Sequence, residues 1–183
     1  VFLILVEIVS YWKNFYPLRL LETRCRHKLQ ENLPVITVFL LLKPAKVGEI
    51  YKDEEVEYRY RVVRIYEIEA REILERGPEC LLAFVPLMKG GEGLVEEAER
   101  RIYGSGMSRK AKADLLTGMA ILGGLVSEEI PRKMLERRRD IMIESAGYEL
   151  IKREGYEEGL KVGMQRGLEQ GIQKGLEQGM QKG

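Results

Sequence analysis

V-F-L-I-L-V-E-I-V, residues 1–9, sets eight apolar residues around a single glutamate, Glu7. A continuous run of Val, Ile and Leu predicts a strand buried on both faces, the pattern of a parallel sheet. A carboxylate in such a run loses hydration and needs a base or a metal ion beside it. Residues 10–17, S-Y-W-K-N-F-Y-P, follow as a polar and aromatic loop, and Pro17 suits the first turn of a helix. Leu18, Leu21, Cys25, Lys28 and Leu29 recur at helical spacing, with Arg19, Arg24 and Arg26 mostly between them, and Asn32 ends the helix. Residues 34–42, P-V-I-T-V-F-L-L-L, form a second buried strand. Strand, helix, strand of this kind is a βαβ unit, so the two strands are expected to be parallel and the class α/β.

Downstream, residues 43–55 read as a polar loop. Residues 56–66, V-E-Y-R-Y-R-V-V-R-I-Y, alternate apolar or aromatic with charged and predict one half-buried strand near a sheet edge. Residues 69–76 predict a short helix stopped by Gly77-Pro78. Residues 79–88 are apolar and broken by Pro86, and 89–91 form a loop. Three helices are expected over about 92–103, 108–124 and 128–150, with Ser108 and Ser127 as N-caps.

Charged residues make up 32% and apolar residues 45% of 183, a globular composition. A net charge of +1 gives no strong pull toward nucleic acid or anionic membrane by itself. Cys25 and Cys80 fit no metal spacing, and His27 is the only histidine, which argues against zinc. Two such thiols fit a reducing cytoplasm, as small core filler. The apolar start is too short to span a bilayer and has no basic segment before it, so neither a transmembrane helix nor a secretion signal is expected. The chain opens in mid-strand without methionine and reads as a piece whose natural N-terminus is missing.

Glycine recurs at 155, 159, 163, 167, 171, 175, 179 and 183, and the residue after each of the first seven is mostly apolar: Tyr156, Leu160, Met164, Leu168, Ile172, Leu176 and Met180. On a helix the glycine row drifts about 40° per repeat and forms a ridge along which two helices could approach closely. The opposing effect is eight glycines at roughly 0.8–1 kcal/mol each against alanine. Two readings stand for 151–183: a solvated, intermittently helical extension, or a homo-oligomerisation helix.

Four stretches together resemble the Rpn-type recombination-promoting nucleases or putative transposases of the PD-(D/E)XK nuclease superfamily. They are L-V-E-I-V-S (5–10), the segment from Y-P-L-R-L to V-F-L-L-L (16–42), V-R-I-Y-E-I-E-A through P-L-M-K-G-G (63–91), and R-D-I-M-I-E-S-A-G-Y through L-K-V-G (139–163). The glycine-repeat tail is also common there. The resemblance implies a partial restriction-endonuclease-like core over 1–67, a mostly helical region over 68–150 and the tail over 151–183. It further implies DNA as partner and Mg²⁺ as cofactor. Glu7 would be the catalytic, metal-binding glutamate of a central strand, sharing the ion with an aspartate from a preceding strand.

Two departures bear on that activity. Val9 stands two residues after Glu7, where the family places a glutamine or lysine, and only apolar residues precede Glu7. Phosphodiester cleavage is therefore not expected of these 183 residues. For Glu7 the alternative is an ion pair with a base such as Arg19. Lys13, Arg19 and Arg26 are the candidate DNA contacts, with Tyr11, Trp12, Phe15 and Tyr16 either stacking on bases or capping the core. Arg132, Lys133, Arg137, Arg138 and Arg139 form a denser basic run, expected to pair with Glu128, Glu129, Glu136 and Asp140 along one helix. The competing function is a non-enzymatic protein that assembles through its tail and keeps the nuclease core as a relic.

Overall fold

A computed structural model describes the backbone of residues 1–182 and the side chains of residues 1–173. Gly183 and the side chains of Leu176 and Met180, part of the glycine repeat, lie outside the described residues. The fold is mixed α/β. Strand β1 (Leu3–Val9), helix α1 (Tyr16–Glu31) and strand β2 (Val35–Leu41) form the expected βαβ unit. β1 and β2 are parallel, with Glu7 beside Phe39. Pro17 opens α1, and Asn32 closes it at φ 51, the left-handed conformation that asparagine tolerates.

The 56–66 stretch is not one strand. It breaks at Tyr60 into β4 (Glu57–Arg59) and β5 (Arg61–Arg64) and ends in a 3₁₀ turn at Ile65–Glu67. β5 pairs parallel with β2, giving the order β1-β2-β5. β4 pairs antiparallel with β3 (Ile50–Lys52), inside the expected loop. Asp53 starts that turn, its Oδ1 accepting from the backbone N–H of Glu55 and Val56 at 3.0 and 2.7 Å. An Asx turn flanked by I-Y-K and V-E-Y-R is a hairpin signal that the charge-rich composition obscures.

β1 is also not buried on both faces. It is an edge strand, and α1 covers one face only. Ile4, Val6 and Ile8 are each more than half exposed on the other face, while Val9 is buried. On α1 the inward residues are Pro17 and Leu20, and Leu18 and Leu29 stand out in solvent. The sheet's covered face gathers Val9, Leu20, Phe39, Leu41, Tyr58 and Tyr60.

A second cluster holds the rest of the chain together. It begins with Leu42 and Ile65, continues through α2 (Ala70–Arg76) and the 3₁₀ segment Glu79–Leu87, and is completed by α3 (Val95–Gly104), α4 (Arg109–Gly123) and α5 (Glu129–Met142). Gly91 is required there: a Cβ would lie 1.7 Å from the Val85 carbonyl oxygen. Ser108 caps α4, its hydroxyl accepting from Ala111 N–H at 3.2 Å. The expected helix over 128–150 is two helices. The chain breaks at Ser145, whose Oγ accepts from Gly147 N–H, and α6 (Ala146–Lys182) starts there. Cys25 and Cys80 are exposed thiols, not core filler, because both stand on the outward faces of their segments.

Of the basic run, only its first part pairs within α5: Lys133 meets Glu129 at 2.7 Å. Arg137 and Arg138 instead cross to α3, where both bind the fully buried Glu99. A local kink at Arg138 (φ −131) allows two successive residues to face one carboxylate. No helix among the described residues is long and apolar enough to cross a membrane.

Candidate nucleic-acid interface

Two parallel strands, β1 and β2, end side by side, and the loops that leave them run over the same end of the sheet. In open α/β sheets that crevice is where ligands bind. Residues 10–15 follow β1, residues 42–49 follow β2, and β3 closes the third side. Together they line a cavity of about 330 Å³ that includes Trp12, Asn14, Lys46, Tyr51, Lys52 and Tyr60. Sequence reasoning found Trp12 but missed Lys46, Tyr51, Lys52 and Tyr60. The carboxyl-end rule applied to the 42–49 loop points to Lys46, whereas Tyr51 and Tyr60 arrive only through the hairpin.

Trp12 is held by edge-on contacts with Phe39 and Tyr16, ring centres 5.0 and 6.0 Å apart. It therefore serves as a core cap, with one edge in the cavity. Tyr60 stacks edge-on with Phe39 at 5.0 Å, and burial pushes its hydroxyl pKa up. The Tyr51 hydroxyl donates to Asp53 at 3.0 Å, and that bond holds its pKa up. Both phenols stay protonated at neutral pH, as donors rather than bases.

Lys46 and Lys52 line the cavity, and Lys13 and Lys43 lie on the loops that follow β1 and β2. Lys13 Nζ lies 5.8 Å from the Phe15 ring centre, and Lys43 Nζ lies 5.2 Å from that of Tyr11 and 3.4 Å from its hydroxyl. Lys46 has no carboxylate partner among the described residues, and the nearest carboxylate of Lys52 is Glu57 at 4.0 Å. Tyr11 and Phe15 are exposed beside them. An exposed ring next to an ammonium not spent on a carboxylate can stack on a base while the charge meets phosphate.

The other candidate contacts are committed elsewhere. Arg19 donates to the Glu7 carboxylate and lies over the Tyr16 ring, 4.8 Å from its centre. Arg26 pairs with Glu22 one helical turn away, at 2.7 Å. Of Lys13, Arg19 and Arg26, only Lys13 has no carboxylate partner among the described residues.

The Arg19 contact answers the question that Glu7 raises. β1 points Glu7 toward the face that α1 covers, and the second residue of α1 after Pro17 supplies the cation. The Glu7 side chain keeps 30% of its surface exposed, so water and guanidinium share it. A hard divalent ion needs several oxygen donors from separate groups. Among the described residues no three His, Cys, Asp or Glu side chains gather as a ligand set. With one carboxylate already bound to arginine, the residues around Glu7 do not fit such an ion. The chain matches no family model, no curated protein and no solved structure.

Proposed function

We propose that this chain is a DNA-directed protein of the Rpn nuclease or putative transposase type that grips DNA without cutting it. The reading is supported chiefly by Lys46 in the cavity and by the Lys13–Phe15 and Lys43–Tyr11 pairs on the loops that leave the carboxyl ends of the parallel strands. In the nuclease type that the sequence resembles, the strand glutamate takes Mg²⁺. Here the Arg19 guanidinium stands where a cation is needed and satisfies Glu7 directly. With Glu7 engaged by Arg19, the chain on this reading keeps its affinity for phosphate and does not cut.

The test is fluorescence anisotropy on a labelled duplex over a salt series, beside supercoiled-plasmid nicking in Mg²⁺. The chain should bind with a steep salt dependence and leave the plasmid intact. Lys13→Glu with Lys46→Glu should weaken binding and flatten the slope by about 0.9 per lost phosphate contact. Salt-independent binding would sink the DNA reading. Nicking that disappears in Glu7→Ala would show that Glu7 still serves catalysis.

A second reading is favoured by α6. Its row of Leu160, Met164, Leu168 and Ile172 is exposed by more than half at every position, beside glycines whose Cβ would meet nothing within 4 Å. An apolar row against a small-residue ridge suits a copy of itself, and the protein would then assemble through its tail. Sedimentation of the full chain against a chain ending at residue 153 distinguishes the two readings.

A further inference from the structure

Away from the sheet, α4, α5 and the first turns of α6 leave a cavity of about 430 Å³, within the range of small-molecule sites. Its floor is Thr117, Ala120 and Met142, all 5% exposed or less, and its mouth is marked by the exposed Ile121 and Ile151. The Thr117 hydroxyl has no hydrogen-bond partner among the described residues. A threonine within a helix ordinarily donates back to the carbonyl one turn earlier, and a buried hydroxyl without a partner is costly. The Thr117 methyl lies toward Gly147, 3.8 Å from where a Cβ there would sit.

Two observations narrow what the cavity takes. The lining is almost wholly apolar, so a water at Thr117 would lack the two to four polar partners that hold buried water. The cation that lines the mouth, Lys152, is paired with Glu149 at 3.6 Å, which offsets its pull on a ligand carboxylate. The space corresponds to about fourteen water-sized groups at ~30 Å³ each. We propose that the cavity binds an uncharged, mainly aliphatic molecule of about ten heavy atoms ending in a hydroxyl or carbonyl oxygen, with that oxygen on the Thr117 hydroxyl. The aliphatic body lies between Ala120, Leu135 and Met142 and reaches the mouth at Ile121 and Ile151. Such a ligand touches all three helices and fastens the root of α6 to α4 and α5.

Octan-1-ol is the probe, titrated calorimetrically into the full chain, with octanoate as the charged counterpart. The expected result is saturable one-to-one binding of octan-1-ol and binding of octanoate at least tenfold weaker. Thr117→Val keeps the shape and removes the hydroxyl, and should weaken octan-1-ol about fivefold while the circular dichroism stays unchanged. Ala120→Leu narrows the floor and should abolish binding. The proposal is overturned if octan-1-ol shows no saturable binding, if octanoate binds as tightly, or if Thr117→Val binds like the parent. It is overturned too if the parent sediments as a dimer that Ala120→Leu converts to monomer, since the cavity would then hold a helix of a second copy.

Discussion

Removing the Glu99 carboxylate should cost more stability than removing any other single acid among the described residues. Glu99 is 0% exposed. Its Oε2 accepts from Arg137 at 2.6 and 3.1 Å, and its Oε1 from Arg138 at 2.8 Å. Glu99→Ala leaves two guanidiniums facing a hole with no counter-charge. Breaking one partner out of a buried pair costs roughly 3–5 kcal/mol. The arginine side chains keep 34% and 22% of their surface, so they recover part of their hydration. That argues for the lower end, about 3 kcal/mol. Glu99→Gln keeps the volume and one acceptor oxygen but turns an NH₂ toward a cation, and should cost about 2 kcal/mol. Glu22→Ala is the control: it removes an exposed pair on α1 and should stay within about 0.5 kcal/mol. Urea unfolding followed at 222 nm, with the slope unchanged between variants, gives all three values. A Glu99→Ala chain within about 0.5 kcal/mol of the parent would refute the reasoning, because the α3–α5 contact would then rest on apolar packing alone.

Gly91→Ala should destabilise by on the order of 1–3 kcal/mol, because its Cβ meets the Val85 carbonyl, whereas Gly93→Ala meets nothing within 4 Å and should be neutral in the same urea series. The Asp53 carboxyl is held below its ordinary pKa by the Glu55 and Val56 N–H groups. Its contribution to the β3–β4 turn is therefore complete above about pH 4 and is lost as pH falls through the lowered value. Amide protection at Val56 should fall across that acid range in the parent and be low throughout in Asp53→Ala, as read by hydrogen exchange. Alanine at Gly155, Gly159, Gly163 and Gly167 together should raise tail helicity by circular dichroism, at roughly 0.8–1 kcal/mol per site. If the glycine ridge is a self-association surface, the same variant should lose its oligomer by sedimentation.

The βαβ unit was legible because three signals agreed: two apolar runs rich in Val, Ile and Leu, a proline at the helix start and an asparagine at its end. What sequence pattern could not carry was which side of the sheet is covered. An apolar run reads the same whether one face or both are packed, so Ile4, Val6 and Ile8 looked buried and are not. The hairpin was hidden for the opposite reason, since Lys52, Asp53, Glu54 and Glu55 give a loop's composition to a turn fixed by one aspartate. At the candidate interface, local reading offered Arg19 as a partner for Glu7. It could not exclude Arg19 and Arg26 as phosphate contacts until their carboxylates were located. Arg137 and Arg138 failed in the same way. Helical spacing offers Arg137 only Asp140, three residues on, and offers Arg138 no acid at all, and a kink that no pattern announces sends both to another helix.

The tail helix has a consequence for how the protein can change length. From residue 155 to 171 a Cβ at any of the glycines would meet no described residue within 4 Å. Each four-residue unit adds about 6 Å and rotates the end by about 40°. Gain or loss of a unit would thus shift the far end by a fixed step while leaving the folded body untouched. Length is a free setting of this molecule, a ruler that repeat expansion could lengthen without renegotiating a single core contact.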